Sequence, residues 1–398
     1  AVAGLRWLAL YLLSFLGYVR SRRRGTAQPD RWPFVSILVP AHNEADTIED
    51  AIESLIELDY PRYEVIVVDD GSGDETYELA GRYEGRGEGC AVTVYRKPNG
   101  GKWSALNYGF LRSRGEHVLC LDADSRLLPD SLRGLVRRAL EPGVSSVAGQ
   151  VRVGNRTRAL TWLQGLEYMV GLGLLRCAQG LMDVVLVVPG PIALYERTAL
   201  EEAMMFREET AEPGGEEDVP GPFSPDTFAE DFDLSLTILA LRGRNAYAPT
   251  SVSVTKAPET IFGLMNQRYR WYRGKLQSIR KYLRISSQAP VMHTPRLILW
   301  LMFADGYQFV VQPLMLGMSF IMLLILIGSG AELLPILIPL LGFMGLMLNA
   351  GVLFVVMHRD RFRVLPWTLV YPFYQAFILN AALAVAIFDE IRDPPMRW

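Results

Sequence analysis

The sequence predicts an α/β domain built on a mostly parallel sheet, followed by an α-helical transmembrane region. Three observations carry this. Apolar, β-branched runs alternate with amphipathic segments between residues 34 and 150, the pattern of a parallel sheet covered on both faces. Charge is concentrated in residues 20–290, whereas 296–388 is almost wholly apolar. Finally, 398 residues that are 50% hydrophobic yet 21% charged, at a mean hydropathy of +0.16, suit a water-soluble domain joined to membrane spans.

Residues 1–19 are apolar apart from Arg6, and RSRRR follows at 20–24. A secretory signal carries its charge before the apolar run. Here the charge comes after it, which places 20–24 and the domain that follows in the cytoplasm. Nineteen helical residues just cross ~30 Å of hydrocarbon, so 1–19 is expected to be a transmembrane helix. The alternating region then reads as strand 34–40, helix 47–58, strand 63–72, helix 75–84, strand 90–96, helix 104–113 and strand 117–124.

The soluble domain is expected to occupy 30–255. Segments 156–182 and 256–290 are amphipathic, with Trp and Tyr, and suit helices lying in a membrane interface. Between them, 207–228 is acidic and rich in Pro and Gly, and reads as a mobile loop. The apolar stretches 296–327, 332–357 and 364–388 give about three spans. HRDRFR (358–363) marks a cytoplasmic loop, while GSGAEL (328–333), with no cation, faces outward.

Composition narrows the chemistry. A net charge of −3 gives no basis for nucleic-acid binding. Three widely spaced Cys (Cys90, Cys120, Cys177) read as reduced structural thiols, and four scattered His argue against a His-ligated zinc.

Four motifs carry the functional reading. In parallel sheets ligands bind at the carboxyl ends of the strands, where Asn43, Asp69, Asp70, Asp122 and Asp124 all fall. In VVDDGSGDET (67–76), Asp74 fits a helix cap and Asp70 is left free to accept hydrogen bonds from a base or ribose. In DAD (122–124), two carboxylates on alternate residues suit a divalent cation shared with a diphosphate. AEDFDLSL (229–236) opens a helix with Glu230, Asp231 and Asp233. Its carboxylates either complement the helix dipole or supply, in Asp231, a general base for an acceptor hydroxyl. In QRYRWYRG (267–274), Gln267, Arg270 and Trp271 share one helical turn. Arg suits bidentate phosphate contacts, Trp offers a flat face to a sugar ring, and Arg268 and Arg273 are expected to face lipid headgroups or phosphate.

Together these motifs resemble the membrane-integrated family 2 inverting glycosyltransferases, the group of cellulose, chitin and hyaluronan synthases, over about residues 34–285. The resemblance implies a GT-A, Rossmann-like fold, a UDP-sugar or GDP-sugar donor, and Mg²⁺ or Mn²⁺. It assigns Asp70 to the base, with Pro40, Glu44 and Lys102 (in GGKWSALN) also on the nucleotide-sugar side. Asp122 and Asp124 are assigned to donor and metal, and Asp231 to catalysis, with Ala229 where Thr is usual. Gln267 and Arg270 are assigned to the leaving diphosphate and Trp271 to the acceptor. VPGPIALYERTAL (188–200) is similar to the acceptor-lining segment.

The implied activity is a hexosyl or N-acetylhexosaminyl transfer, with inversion, to a growing polysaccharide and with possible coupling to export. The enzyme would be multi-pass in the cell membrane, in contact with membrane lipids. The alternative is a non-processive synthase adding one sugar to a lipid. Polar residues in the apolar region (Asp305, Gln308, Gln312, Asn349, Gln375, Asn380) are candidates to line a channel.

Overall fold

The computed structural model describes residues 2–23, 29–86, 90–210, 219–288, 295–329 and 362–392, with scattered positions between 338 and 356. Its core is an eight-stranded sheet: β1 (Val35–Ala41), β2 (Tyr63–Asp69), β3 (Cys90–Arg96), β4 (His117–Cys120), β5 (Ser125–Leu127), β6 (Val144–Val153), β7 (Ala193–Glu196) and β8 (Arg244–Thr255). The strand order is β3-β2-β1-β4-β7-β6-β8-β5.

The first four strands are parallel, as their continuous apolar runs require. Ile37 and Val39 of β1 pack with Ile48, Ile52 and Leu55 of the helix Ile48–Ile56. On the opposite face, Leu38 packs with Ala105, Leu106 and Phe110 of the helix Lys102–Arg112. A helix on each face leaves no polar side of the sheet. Beyond β4 the expectation of a mostly parallel sheet is corrected: β7 runs antiparallel to both β4 and β6, and β5 antiparallel to β8. The sheet is therefore mixed.

Two predicted strands end early. The strand expected over 63–72 stops at Asp69, and that over 117–124 stops at Cys120. The residue after each strand still bonds to β1, Asp70 N–H to the Ala41 carbonyl at 2.8 Å and Leu121 N–H to the Leu38 carbonyl at 3.0 Å, so the carboxylates fall at the strands' carboxyl ends. Pro40 is tolerated in β1 because β4 has already ended: the last β1–β4 pair is Leu38 with Cys120. The N–H that Pro40 lacks would have pointed to that vacated side.

Residues 159–180 form one helical run with a π-helical turn at Glu167–Gly173. It is sandwiched between the sheet, through Tyr168 and Cys177, and apolar helices on its other side. One of these is Val2–Arg23. Its Ser14 hydroxyl donates to the Leu174 carbonyl at 2.7 Å, and Gly17 passes so close that a Cβ there would lie 1.9 Å from the Cys177 carbonyl oxygen. The helix Arg197–Thr210 extends into the predicted acidic loop; residues 211–218 of that loop lie outside the described residues.

Two helices, Pro295–Met315 and Tyr371–Arg392, are long and apolar enough to cross a membrane. The stretch expected as a middle span, 332–357, falls largely outside the described residues. Gln312 donates to Asn380 at 2.7 Å, tying the two flanking apolar helices together, and Lys275 pairs with the buried Asp305 at 3.0 Å. Cys90, Cys120 and Cys177 are free and buried, in keeping with structural thiols.

Candidate active site

The carboxyl ends of the four parallel strands, the turn after β4 and the start of the helix Glu230–Ala240 converge on one cluster of charges. At its centre is Lys102, the first residue of its helix. Its ammonium lies 2.7 Å from Asp122 and 3.0 Å from Glu230. Burial lowers the Lys102 pKa, but the Asp122, Glu230 and Asp231 charges outweigh it and hold the ammonium well above its ordinary value. The lysine is therefore a fixed cation.

Asp231 lies beside this pair. Its Oδ2 accepts from the Gly190 N–H at 3.2 Å and its Oδ1 from the Phe232 N–H at 2.7 Å. Burial first, then the adjacent Glu230, pushes its carboxyl up to about 6, with Lys102 opposing. A carboxylate with a pKa this near neutrality is suited to proton transfer. Gly190 admits the cluster: a Cβ there would sit 2.7 Å from the Lys102 ammonium and 3.0 Å from Asp122 Oδ1. The segment VPGP thus lines the same site.

Asp124 points into the site from the turn, held by the Ser125 hydroxyl at 2.9 Å and the Thr255 hydroxyl at 3.1 Å. Burial and the Asp122 charge raise it to about 6. Glu44, bonded by the Thr47 hydroxyl at 2.7 Å, is also raised, chiefly by burial and further by Asp122. These mutually repelling carboxylates fit a cation. Among the described residues no group of three or more His, Cys, Asp or Glu could hold a metal unaided. Asp122 and Asp124 are the two carboxylates here that a hard divalent ion, which accepts phosphate oxygens and water as further ligands, would need.

Asp70 corrects its expectation of being free. One oxygen takes the Lys97 ammonium at 2.7 Å and the Gly100 N–H at 3.1 Å; the other takes the Gly101 N–H at 2.8 Å. It clamps the loop that leads into the Lys102 helix. Asp74 is corrected as a helix cap: Glu75 holds that position, and Asp74, one residue earlier, accepts the Thr76 N–H at 3.1 Å.

The long helix Ile261–Gln288 carries Gln267, Arg270 and Trp271. Arg270 is exposed and makes no ion pair with a described residue. Trp271 is half-buried against the sheet-side core, its ring 6.1 Å from that of Tyr168. The Asp124 charge is felt at Tyr168, so the aromatic pair borders the carboxylate cluster. Arg268 and Arg273 are corrected: neither faces lipid headgroups. Arg268 is fully buried on Glu167, and Arg273 is buried and pairs with Glu390 at 3.5 Å.

Sequence reasoning missed Glu230 as the second partner of Lys102 and the buried Arg176. The Arg176 guanidinium makes no hydrogen bond with a described residue; burial lowers its pKa, while the Tyr247 and Asp231 charges oppose that. Glu230 sits in the AEDFDLSL string, which did not reveal its pairing with Lys102, and no local motif signals Arg176.

Residues 36–204 match the model of glycosyl transferase family 2. Among curated relatives, the poly-β-1,6-N-acetyl-D-glucosamine synthase of Staphylococcus epidermidis is 29% identical over 241 residues, covering 60% of this chain and 54% of that protein. That of Staphylococcus aureus strain MW2 is 30% identical over 242 residues, with the same coverage. The chain spans about half the length of the curated relatives it matches. Among solved structures, a mannosyltransferase from Pyrobaculum calidifontis, in complex with GDP-Man and Mn²⁺, superposes with a TM-score of 0.64 at 23% identity over 99% of both chains. The GT-A-like fold expected from sequence is thus present.

Proposed function

We propose that this chain, which carries a family 2 glycosyltransferase domain over residues 36–204, transfers a sugar with inversion from a nucleoside-diphosphate sugar to a growing polysaccharide. One observation carries the reading: Lys102, Asp122, Glu230, Asp231 and the Gly190 N–H converge at the carboxyl ends of the parallel strands. The relatives' names favour an N-acetylglucosamine polymer; the donor is taken as a UDP-sugar on the family resemblance, and the structural neighbour's ligand makes GDP-sugars the comparison donors.

In this reading Asp122 and Asp124 would hold Mg²⁺ or Mn²⁺, which when bound supplies positive charge to the leaving diphosphate. Lys102 and Arg270 add fixed positive charge to the same phosphates. Pro40, Glu44 and the loop clamped by Asp70 form the nucleotide side. Asp231 takes the proton of the acceptor hydroxyl, which attacks the anomeric carbon from the face opposite the nucleotide. One displacement needs no carboxylate nucleophile, so an α-linked donor yields a β-linkage. Trp271 and Gln267 form the acceptor and diphosphate side of the cleft.

Membrane residence belongs to the same reading. Leu5, Leu8 and Leu12, Leu314, Met318 and Ile321, and Phe373, Phe377 and Phe388 are all exposed, an apolar surface that a water-soluble monomer rarely carries. The RSRRR segment keeps the catalytic domain cytoplasmic. A single-sugar lipid product is the second reading. It is favoured by the engagement of Asp305, Gln312 and Asn380 in ties between helices, which removes them from a polar lumen.

Purified protein in nanodiscs, given UDP-N-acetylglucosamine, UDP-glucose or GDP-mannose with Mn²⁺, tests this. A long, β-linked product supports the synthase, a single-sugar lipid supports the second reading, and an α-linked product sinks the single-displacement mechanism.

A further inference from the structure

Arg268 lies two residues before the exposed Arg270, yet its side chain is 0% exposed. All three nitrogens of its guanidinium, and one flat face, are engaged. Nε and one terminal nitrogen donate to the two oxygens of Glu167 at 2.9 and 2.8 Å. The other terminal nitrogen donates to Gln267 Oε1 at 2.6 Å. The flat face lies 4.0 Å from the centre of the Trp271 ring. Tyr374, on the C-terminal apolar segment, donates its hydroxyl to the same Glu167 at 2.6 Å. Glu167 opens one π-helical turn and Tyr374 immediately precedes another, at Gln375–Leu379. Such turns often mark functional positions.

A guanidinium is planar and rigid, so fixing its fork on one carboxylate also fixes its third donor and its stacking face. A buried ion pair adds little stability of its own, and setting geometry is the better-supported use of one. We propose that Glu167, acting through Arg268, is the positioning residue that orients both Gln267 and Trp271, and that Tyr374 ties this setting to the C-terminal helix. The proposal rests on the reading that Gln267 and Trp271 serve diphosphate and acceptor. In it the acceptor side of the cleft is not built by the family 2 domain alone: it is completed by a residue of the apolar C-terminal segment.

The discriminating variant is Arg268→Lys, which keeps the charge opposite Glu167 but loses the third donor and the flat face. Tyr374→Phe, which leaves the ion pair intact, is the mild companion, and Glu167→Gln the severe one. The full chain in nanodiscs carries 5-fluorotryptophan, with the Trp271 resonance assigned by Trp271→Phe. Transfer is measured with UDP-N-acetylglucosamine and β-1,6-linked N-acetylglucosamine oligomers, and UDP affinity by calorimetry with Mn²⁺.

In Arg268→Lys we expect a shifted or broadened Trp271 resonance. The acceptor kcat/KM should fall about tenfold or more, as displaced positioning groups cause, and UDP affinity should weaken severalfold as well, because Gln267 serves the diphosphate. Tyr374→Phe should move both readouts in the same direction by less. An unchanged resonance in Arg268→Lys and Tyr374→Phe overturns the proposal. So do unchanged kinetics in Arg268→Lys when Trp271→Ala abolishes transfer. If Trp271→Ala and Gln267→Ala themselves transfer normally, the reading of the cleft fails instead. Should Glu167→Gln not fold, the other two variants decide.

Discussion

Asp231→Asn should make the protein a far poorer enzyme and a more stable fold. The half-buried aspartate is pushed up to about 6, against an unfolded value of about 3.9. Because the folded value is the higher, the ionised carboxylate costs stability, fully above the folded pKa and hardly at all below the unfolded one. Linkage puts the cost at about 3 kcal/mol at pH 7, about 1.5 at pH 5 and about 0.5 at pH 4. These are upper bounds, because Asn cannot reproduce both backbone hydrogen bonds from Gly190 and Phe232 and Lys102 loses one nearby anion. A net gain of about 1–2 kcal/mol at pH 7 corresponds to several degrees in thermal midpoint at roughly 2–4 °C per kcal/mol. The assay is thermal unfolding of both proteins in metal-free detergent buffer at pH 7, 5 and 4, alongside turnover at pH 7.5. The gain should shrink as pH falls, while turnover drops by ~10² or more for a lost general base. An Asn variant less stable than the parent at every pH would refute the reasoning and make Asp231 a structural cap. Retained turnover would remove it from catalysis.

Three further perturbations follow from the geometry. Gly190→Ala puts a methyl 2.7 Å from the Lys102 ammonium; because that ammonium ends a flexible chain, the fold should survive while nucleotide affinity drops about tenfold, the loss of one charge-assisted contact, readable by calorimetry. Asp124→Asn should weaken Mn²⁺-dependent UDP binding. In the parent, Mn²⁺ affinity should fall by up to about tenfold per pH unit below pH 6, because a carboxyl raised to about 6 then binds a proton in competition with the ion; a flat profile removes Asp124 from the metal site. Gly17→Ala drives a Cβ to 1.9 Å from the Cys177 carbonyl and should cost about 1–3 kcal/mol, an overpacking penalty, seen as a lower melting temperature with nucleotide binding intact.

The parallel half of the sheet was legible because β1, β2 and β4 are buried on both faces and read as mainly apolar runs, while the edge strand β3 alternates buried and open positions. The other half was not. β7 is four residues inside a Pro- and Gly-containing segment, and β8 mixes Ser, Thr and Pro with its apolar residues. Moreover, β6 finds its parallel partner β8 about a hundred residues later, through a non-local pairing that no local periodicity announces. The same division runs through the site. Asp122, Asp124 and Asp231 sit in local strings whose residue types suit their chemistry. Asp70 sat in such a string too, but the string could not say that its oxygens are already taken by the Lys97–Gly101 loop. Arg268 misled for a related reason: an arginine in an Arg- and aromatic-rich string reads as a surface group, and the carboxylate it pairs with lies 101 positions away.

The most direct test of the account is nucleotide release by the purified protein in nanodiscs, with UDP-N-acetylglucosamine and GDP-mannose, with Mn²⁺ or with chelator. The parent should release nucleotide from one of these donors only when metal is present, and Asp231→Asn should bind that nucleotide normally while releasing ~10²-fold less. Metal-independent release, or equal release by the variant, would contradict a metal-assisted transfer driven from Asp231.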